Sequence, residues 1–259
     1  MESESKFLSY DRSEIEVFIS QPKDYKAAII VIHEIWGLTD YIKNVARRLS
    51  NESFLVLAPN LYSRKKEVFT QSNIFSVMKR LWSLSPASRR NKRNIEKLYA
   101  ELNDSEKIIF EKLVTNREKA EEEMVKDLSS IYKLIKENYA PMKIGVIGFC
   151  MGGGLAFQFS TIEEINASVI YYGHAPRPLD NIKNLKGAVL GIYAGNDTAI
   201  NKELPDLIRK MVKYQINFEV KLYPYTNHAF ATEGGLNYNE DAAKDAWQRT
   251  ISFFKKYLN

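Results

Sequence analysis

One cysteine, Cys150, and three histidines, His33, His174 and His228, are all that 259 residues contain of these types. A single cysteine excludes an internal disulfide, and with it the disulfide-stapled secreted folds; it fits a reducing compartment. No apolar run reaches the roughly 18 to 20 residues that span a bilayer. The opening Met1–Lys6 is polar and partly acidic, with no basic segment leading into an apolar one, so it does not read as a signal peptide. These absences predict a cytoplasmic protein with no membrane partner. Internal repeats and low-complexity tracts are missing too. Charge of a single sign is also scarce. The net charge is +5 and the pI about 9.0, but the basic residues interleave with acids, as in Arg117-Glu118-Lys119-Ala120-Glu121-Glu122-Glu123. The densest basic cluster, Arg89–Arg93, reads as one turn of a solvated helix. No zinc-knuckle or RNA-recognition spacing accompanies it, so no nucleic-acid partner is expected.

What the chain has is enough apolar material for one sizeable core, at 45% hydrophobic residues. Short β-rich runs alternate with helical ones. Ile15–Ile19 reads as a half-exposed strand. Ala27–Ile32 and Phe54–Ala58 are continuously apolar, as in strands buried on both faces. Ile144–Gly148, Ser168–Tyr172, Ala188–Tyr193 and Phe218–Tyr223 complete the set. Helices are expected over Asp40–Leu49, capped by Thr39 or Asp40, and over Glu203–Tyr214 and Asp241–Tyr257. This alternation predicts an α/β fold: a mostly parallel sheet with right-handed crossovers, flanked by helices, in a single domain over 1–259. From about 65 to 139 the strand signal vanishes. Apolar residues recur there at helical spacing: Ile74, Val77, Met78, Leu81; Ile95, Leu98, Leu102; Met124, Leu128, Ile131, Leu134, Ile135. The last group predicts a crossover helix. The part over approximately 65–125 is expected to be a helical insertion and is a candidate cap over a substrate site.

The stretch Gly148-Phe149-Cys150-Met151-Gly152-Gly153-Gly154 lies between the run Lys143–Ile147 and the helical pattern from Leu155. Gly-x-nucleophile-x-Gly between a strand and a helix is the nucleophile elbow of α/β-hydrolases. The turn forces its central residue into a strained conformation. The helix that starts there offers free N–H groups and a positive dipole end to a developing oxyanion. A lone cysteine is ordinarily a small buried hydrophobe. This one occupies the single position where a nucleophile belongs. An elbow also predicts partners in chain order, an acid and then a histidine. Asp197 follows the strand ending at Ala194, and His228 lies in the loop after the strand ending at Tyr223. His228 is expected to move the proton of Cys150, and Asp197 to fix the imidazole tautomer. The oxyanion donors are expected at the N–H groups of Met151 and Ile35. His174 lacks an acid placed to orient it and is expected to be a pocket-wall or structural residue. The glycines after Cys150 lack the Gly-x-Gly start of a dinucleotide site, so no cofactor is expected. No metal is expected, since the acids and histidines of the motifs are already engaged.

Five segments in order, His33-Glu34-Ile35-Trp36-Gly37, Ala58-Pro59-Asn60-Leu61-Tyr62, Gly148–Gly153, Gly195-Asn196-Asp197 and His228-Ala229-Phe230, resemble the dienelactone hydrolase family of α/β-hydrolases. The resemblance covers most of the chain outside the helical insertion. It implies a fourth catalytic residue, Glu34, which in the family contacts the cysteine and helps convert thiol to thiolate when substrate arrives. It also implies two arginines that bind a substrate carboxylate. Neither is present: the matching positions fall near Thr232 and near Phe75, with Arg80 as a candidate replacement. Trp36, Tyr62 and Trp82 are candidate pocket walls.

Together these features predict a cysteine hydrolase that cleaves a small-molecule carboxylic ester or lactone through an acyl-enzyme. The missing arginines keep open a general esterase or thioesterase acting on another substrate. A reading of another class is a non-catalytic binding or redox-sensing protein that uses Cys150 as an oxidisable thiol; such a protein has no need of Asp197 and His228. The sequence leaves the oligomeric state open.

Overall fold

The structure is a computed structural model that describes residues 1–139 and 142–259. Eight strands form one sheet: β1 (Glu2–Leu8), β2 (Glu14–Ser20), β3 (Ala27–Ile32), β4 (Leu55–Pro59), β5 (Lys143–Phe149), β6 (Ala167–Tyr171), β7 (Ala188–Ala194) and β8 (Phe218–Tyr223). Their spatial order is β1-β2-β4-β3-β5-β6-β7-β8. The β1–β2 and β2–β4 pairs are antiparallel and all others parallel. The helices are α1 (Asp40–Ser50), α2 (Gln71–Ser83), α3 (Pro86–Arg90), α4 (Lys92–Ala100), α5 (Asp104–Phe110), α6 (Arg117–Asn138), α7 (Met151–Ser160), α8 (Thr198–Asn201), α9 (Leu204–Lys213) and α10 (Glu240–Leu258). None is long and apolar enough to cross a membrane, among the described residues.

The apolar run of β3 follows from its place in the sheet. Ala28, Ile30 and Ile32 point into the core under α6, α7 and α9, while Ala27, Ile29 and Val31 point into the core under α1 and α10. A strand covered on both faces has no polar side to show. Thr39 caps α1, its side chain accepting from the Ile42 N–H. At the carboxyl ends of the parallel strands the loops converge, and there the chain places its candidate chemistry.

Three sequence expectations need correction. The strand β1 was not expected. It pairs along β2 from Glu2↔Ser20 to Leu8↔Glu14 with most of its side chains in solvent, and an edge strand with no buried face leaves no apolar alternation to read. The strand β2 is more buried than half, because α1 lies over it and the cations of Lys43 and Arg47 sit above the Phe18 ring at 5.5 and 5.2 Å. The basic cluster Arg89–Arg93 is not one helical turn. Asn91 ends α3 and caps α4, accepting from the Arg93 N–H.

Between β4 and β5 runs a segment of helices. A 3-10 turn (Ser63–Lys65) precedes α2 to α5, and a π-helical turn (Glu111–Thr115) separates α5 from α6. Ile74, Val77, Met78, Leu98, Leu102 and Leu113 are buried against the core that contains Met124, Leu128, Ile131 and Ile135 of α6. The sequence Asn103-x-x-Glu106 forms a capping box at the start of α5.

Candidate active site

Two glycines let the chain turn at Cys150. A Cβ on Gly148 would lie 1.9 Å from the Gly152 carbonyl oxygen, and one on Gly152 would lie 2.4 Å from that of His33. Both approaches are closer than any side chain tolerates. Between them Cys150 has φ 56° and ψ −117°, a conformation that costs a non-glycine residue about 1–3 kcal/mol and persists only when its surroundings impose it. Here the surroundings are its own N–H donating to the Tyr171 carbonyl at 3.0 Å and its carbonyl receiving the N–H groups of Gly153 and Gly154. The turn ends β5 and begins α7, so the sulfur stands at the helix N-terminus above the sheet.

The loops after β7 and β8 meet beside it. They are tied by the Gly195 N–H to Tyr223 carbonyl and Asn196 N–H to Thr226 carbonyl bonds, at 2.8 and 2.9 Å. Across this junction His228 Nδ1 is hydrogen-bonded to Asp197 Oδ2, while Asp197 Oδ1 caps α8 by accepting from the Ile200 N–H. Cys150 is the other group acting on this ring, and both line one cavity. Burial by itself would lower the pKa of His228. Hydrogen bonds to Asp197 and Cys150, and their charges, outweigh it and raise the pKa to about 10. The Tyr172 ring packs on this imidazole with centroids 5.0 Å apart.

The loop after β3 supplies the other wall. His33 is wholly buried and accepts the Leu61 N–H at Nε2, 3.1 Å away, so its proton sits on Nδ1 and is donated to the Glu34 carbonyl oxygen at 2.6 Å. Burial lowers its pKa to about 4. This histidine therefore holds the loop and stays neutral. In the unfolded chain the ring takes a proton near pH 6.5, but the folded chain refuses it until about pH 4. This contribution to stability is complete above pH 6.5 and falls as the pH drops toward 4. The expected loss is about 2 kcal/mol between pH 6.5 and 5. Urea unfolding at the two pH values measures it, and a His33→Gln variant that keeps the same pH slope would contradict the assignment.

Glu34 is 2% exposed. Its Oε1 accepts a 2.8 Å hydrogen bond from Thr232 Oγ1. Burial raises its pKa, with Thr232 and His228 acting the other way. The position at which the resemblance expects an arginine thus holds a hydroxyl bonded to this carboxylate. Among the described residues no hydrogen bond takes up the N–H of Ile35 or of Met151, and Tyr62 steadies both residues from below, its hydroxyl donating to the Ile35 carbonyl at 2.9 Å and lying 3.8 Å from Met151 Sδ.

A cavity of about 790 Å³ opens over the sulfur. Its lining includes Glu34, Ile35, Cys150, Met151, His228 and Thr232. Trp36 and Trp82 stand in its wall. Tyr62 lies beneath the floor and lines a neighbouring cavity instead. Arg80 is turned away. Its guanidinium donates to the Glu101 carbonyl at 3.1 Å and lies 3.8 Å from Glu106, outside the lining. Sequence reading missed Phe75, Leu113, Arg117 and Glu121, which also line the cavity. It also missed the acid facing His174. Glu121 Oε2 lies 3.5 Å from His174 Nε2, across a cavity on the far side of α7. Among the described residues no group of three or more His, Cys, Asp or Glu side chains is gathered as a metal ion would need.

An eight-stranded, mostly parallel sheet with a nucleophile elbow at β5 and an acid and a histidine on the loops after β7 and β8 defines an α/β-hydrolase. The sequence profile of the dienelactone hydrolase family matches residues 15–258, and the chain belongs to that family. A Saccharolobus solfataricus protein provisionally named a carboxymethylenebutenolidase is 43% identical over 250 residues, covering 96% of this chain and 97% of that one. A provisionally named dienelactone hydrolase from Klebsiella pneumoniae superposes with a TM-score of 0.74 at 23% identity, over 99% of both chains. The dienelactone hydrolase of Anabaena variabilis gives 0.69 at 15% identity, over 100% of this chain and 99% of that one. At those identities the superpositions speak for the fold.

Proposed function

We propose that this hydrolase cleaves carboxylic esters or lactones with Cys150 as nucleophile, His228 as acid and base, and Asp197 as the group that orients His228. The observation that carries the reading is the His228 ring held between the Asp197 carboxylate and the Cys150 sulfur at the floor of a cavity. The thiolate attacks the substrate carbonyl carbon, and the oxygen becomes an oxyanion received by the N–H groups of Ile35 and Met151. When the tetrahedral intermediate collapses, the carbon–oxygen bond to the leaving group breaks and His228 Nε2 protonates the departing oxygen. The acyl group remains on sulfur as a thioester. Water then gives a proton to His228 and attacks the thioester. The carbon–sulfur bond breaks, releasing the acid and restoring the thiolate.

Glu34 is the fourth group in this reading. Its buried carboxylate lines the same cavity as the Cys150 sulfur, and in this reading it helps convert thiol to thiolate when substrate arrives. The carbonyl substrates named for the relatives, dienelactone and carboxymethylenebutenolide, belong to the same reaction class. The helical segment over approximately 65–125 acts as the cap in this scheme, since α2 and the π-helical turn supply one wall of the cavity.

A p-nitrophenyl ester mixed with the enzyme and quenched within one turnover should leave one acyl mass on the peptide containing Cys150. In a Glu34→Gln variant the pH dependence of that acylation step should change. Turnover with no adduct on Cys150 would sink the covalent mechanism, and an unchanged acylation profile would remove Glu34 from it. The same assay separates a redox sensor, whose thiol would take up an acyl group from the activated ester but would not turn over.

A further inference from the structure

Helix α2 presents Phe75, Met78, Leu81 and Trp82 along one side to the cavity over Cys150. Two of these large apolar side chains are left open, Phe75 57% exposed and Trp82 50%. Trp36 meets both, edge to face with Trp82 at a centroid distance of 5.8 Å and tilted against Phe75 at 6.3 Å. Leu113 of the π-helical turn and Met124 of α6 line the same cavity. An apolar helix side kept open above a reactive sulfur is an unusual use of surface, because contiguous exposed apolar patches mark binding sites. The cavity, at about 790 Å³, lies in the size range of sites that enclose a whole organic ligand.

The basic side chains at its edge already have acid partners. Arg117 Nε donates to Glu121 Oε1 at 2.6 Å, and Lys112 Nζ lies 3.8 Å from Glu123 Oε2. Glu121 is ionised. Burial raises its pKa, but contacts with His174 and Arg117 overcome that and bring it to about 2. The wall therefore presents Arg117 as half of an ion pair, with His174 holding the other side of Glu121 from behind.

From these observations we infer that the enzyme's substrates are uncharged esters carrying a bulky apolar group of about six to eight carbons, which lies between the Trp36–Trp82 wall and Leu113. This rests on the hydrolase reading above and narrows it. A small carboxylate-bearing lactone would leave most of the apolar wall wet and would meet in Arg117 a cation whose charge is already offset by Glu121.

The test measures kcat/KM of the full chain on p-nitrophenyl acetate, butanoate, hexanoate and octanoate, on ethyl, butyl and octyl acetate for the alcohol side, and on the p-nitrophenyl monoester of glutaric acid against the pentanoate. Each methylene that enters an apolar site should raise kcat/KM by about three- to fourfold, so hexanoate should exceed acetate by about 80-fold or more. The charged glutarate ester should be turned over at least tenfold less well than the pentanoate. In Val114→Trp, which adds bulk to the wall beside Leu113, the octanoate-to-acetate ratio should drop at least tenfold. A flat or falling series on both the acyl and alcohol sides, with acetate still cleaved, overturns the proposal. Preference for the charged ester overturns it too. Failure to cleave any of these esters, with no adduct on Cys150, instead rejects the underlying hydrolase reading and this proposal with it.

Discussion

The Cys150→Ala variant should lose at least about 10⁴-fold in kcat/KM on p-nitrophenyl acetate. Removing a nucleophile from a unit whose members act together costs on that order or more. For the same reason Cys150→Ala/His228→Ala should be no slower than either single variant: once the sulfur is gone, the imidazole has nothing to deprotonate. The backbone gives this prediction an internal control. Cys150 is held at φ 56° and ψ −117°, where only glycine is unstrained. Cys150→Gly should therefore be as inactive as the alanine variant and yet unfold later, by about 1 kcal/mol. Loss of activity with gain of stability separates a catalytic side chain from a structural one. Kinetics of the four variants and urea unfolding of the two Cys150 single variants read it out. If Cys150→Gly were both inactive and less stable, the sulfur would be serving the core rather than chemistry.

The positions of Cys150, Asp197 and His228 were legible in the sequence because each follows a strand end by a few residues. Strand register in a parallel sheet then brings those loop ends to one edge, whatever lies between them. The loop His33–Gly37 was legible for the same reason, one strand earlier. What the sequence did not reveal is set by contacts between distant segments. Arg117 and Glu121 read as part of an interleaved charged run and are in fact an i,i+4 pair at the cavity, one acid oxygen turned toward His174. Nothing local distinguishes that pair from the other Lys and Glu residues around it. Arg80 was a reasonable candidate by its distance from Trp82. Helical geometry instead puts two residues adjacent in a turn, such as Arg80 and Leu81, on different sides. Leu81 enters the cavity, and Arg80 reaches α5 and the Glu101 carbonyl. Thr232 carried no signal beyond the absence of an arginine, and its bond to Glu34 spans 198 positions of chain.

Asp197→Asn should bring a loss on the order of 10⁴-fold in kcat, the usual effect of removing the acid that orients a catalytic histidine. The side chain keeps its size and can still occupy the cap position of α8, so little of the fold is disturbed. What changes is the ring. An amide nitrogen turned toward Nδ1 would donate to it and drive the proton to Nε2, the nitrogen that must accept one from sulfur. The amide also removes the charge that, after burial has lowered the pKa of His228, works with Cys150 to raise it to about 10. In the parent enzyme the imidazolium then survives through neutral pH. Its share of stability is present below pH 6.5, where the unfolded ring is also charged, and is lost as the pH rises from 6.5 toward 10. In Asp197→Asn that alkaline slope should flatten, and the alkaline limb of the residual activity should move to lower pH, since burial still lowers the pKa of the ring. Unfolding at pH 7 and 9 and a pH–rate profile test the two halves separately. A variant that retains the parent's alkaline limb would mean that some other group, and not Asp197, holds the proton on His228.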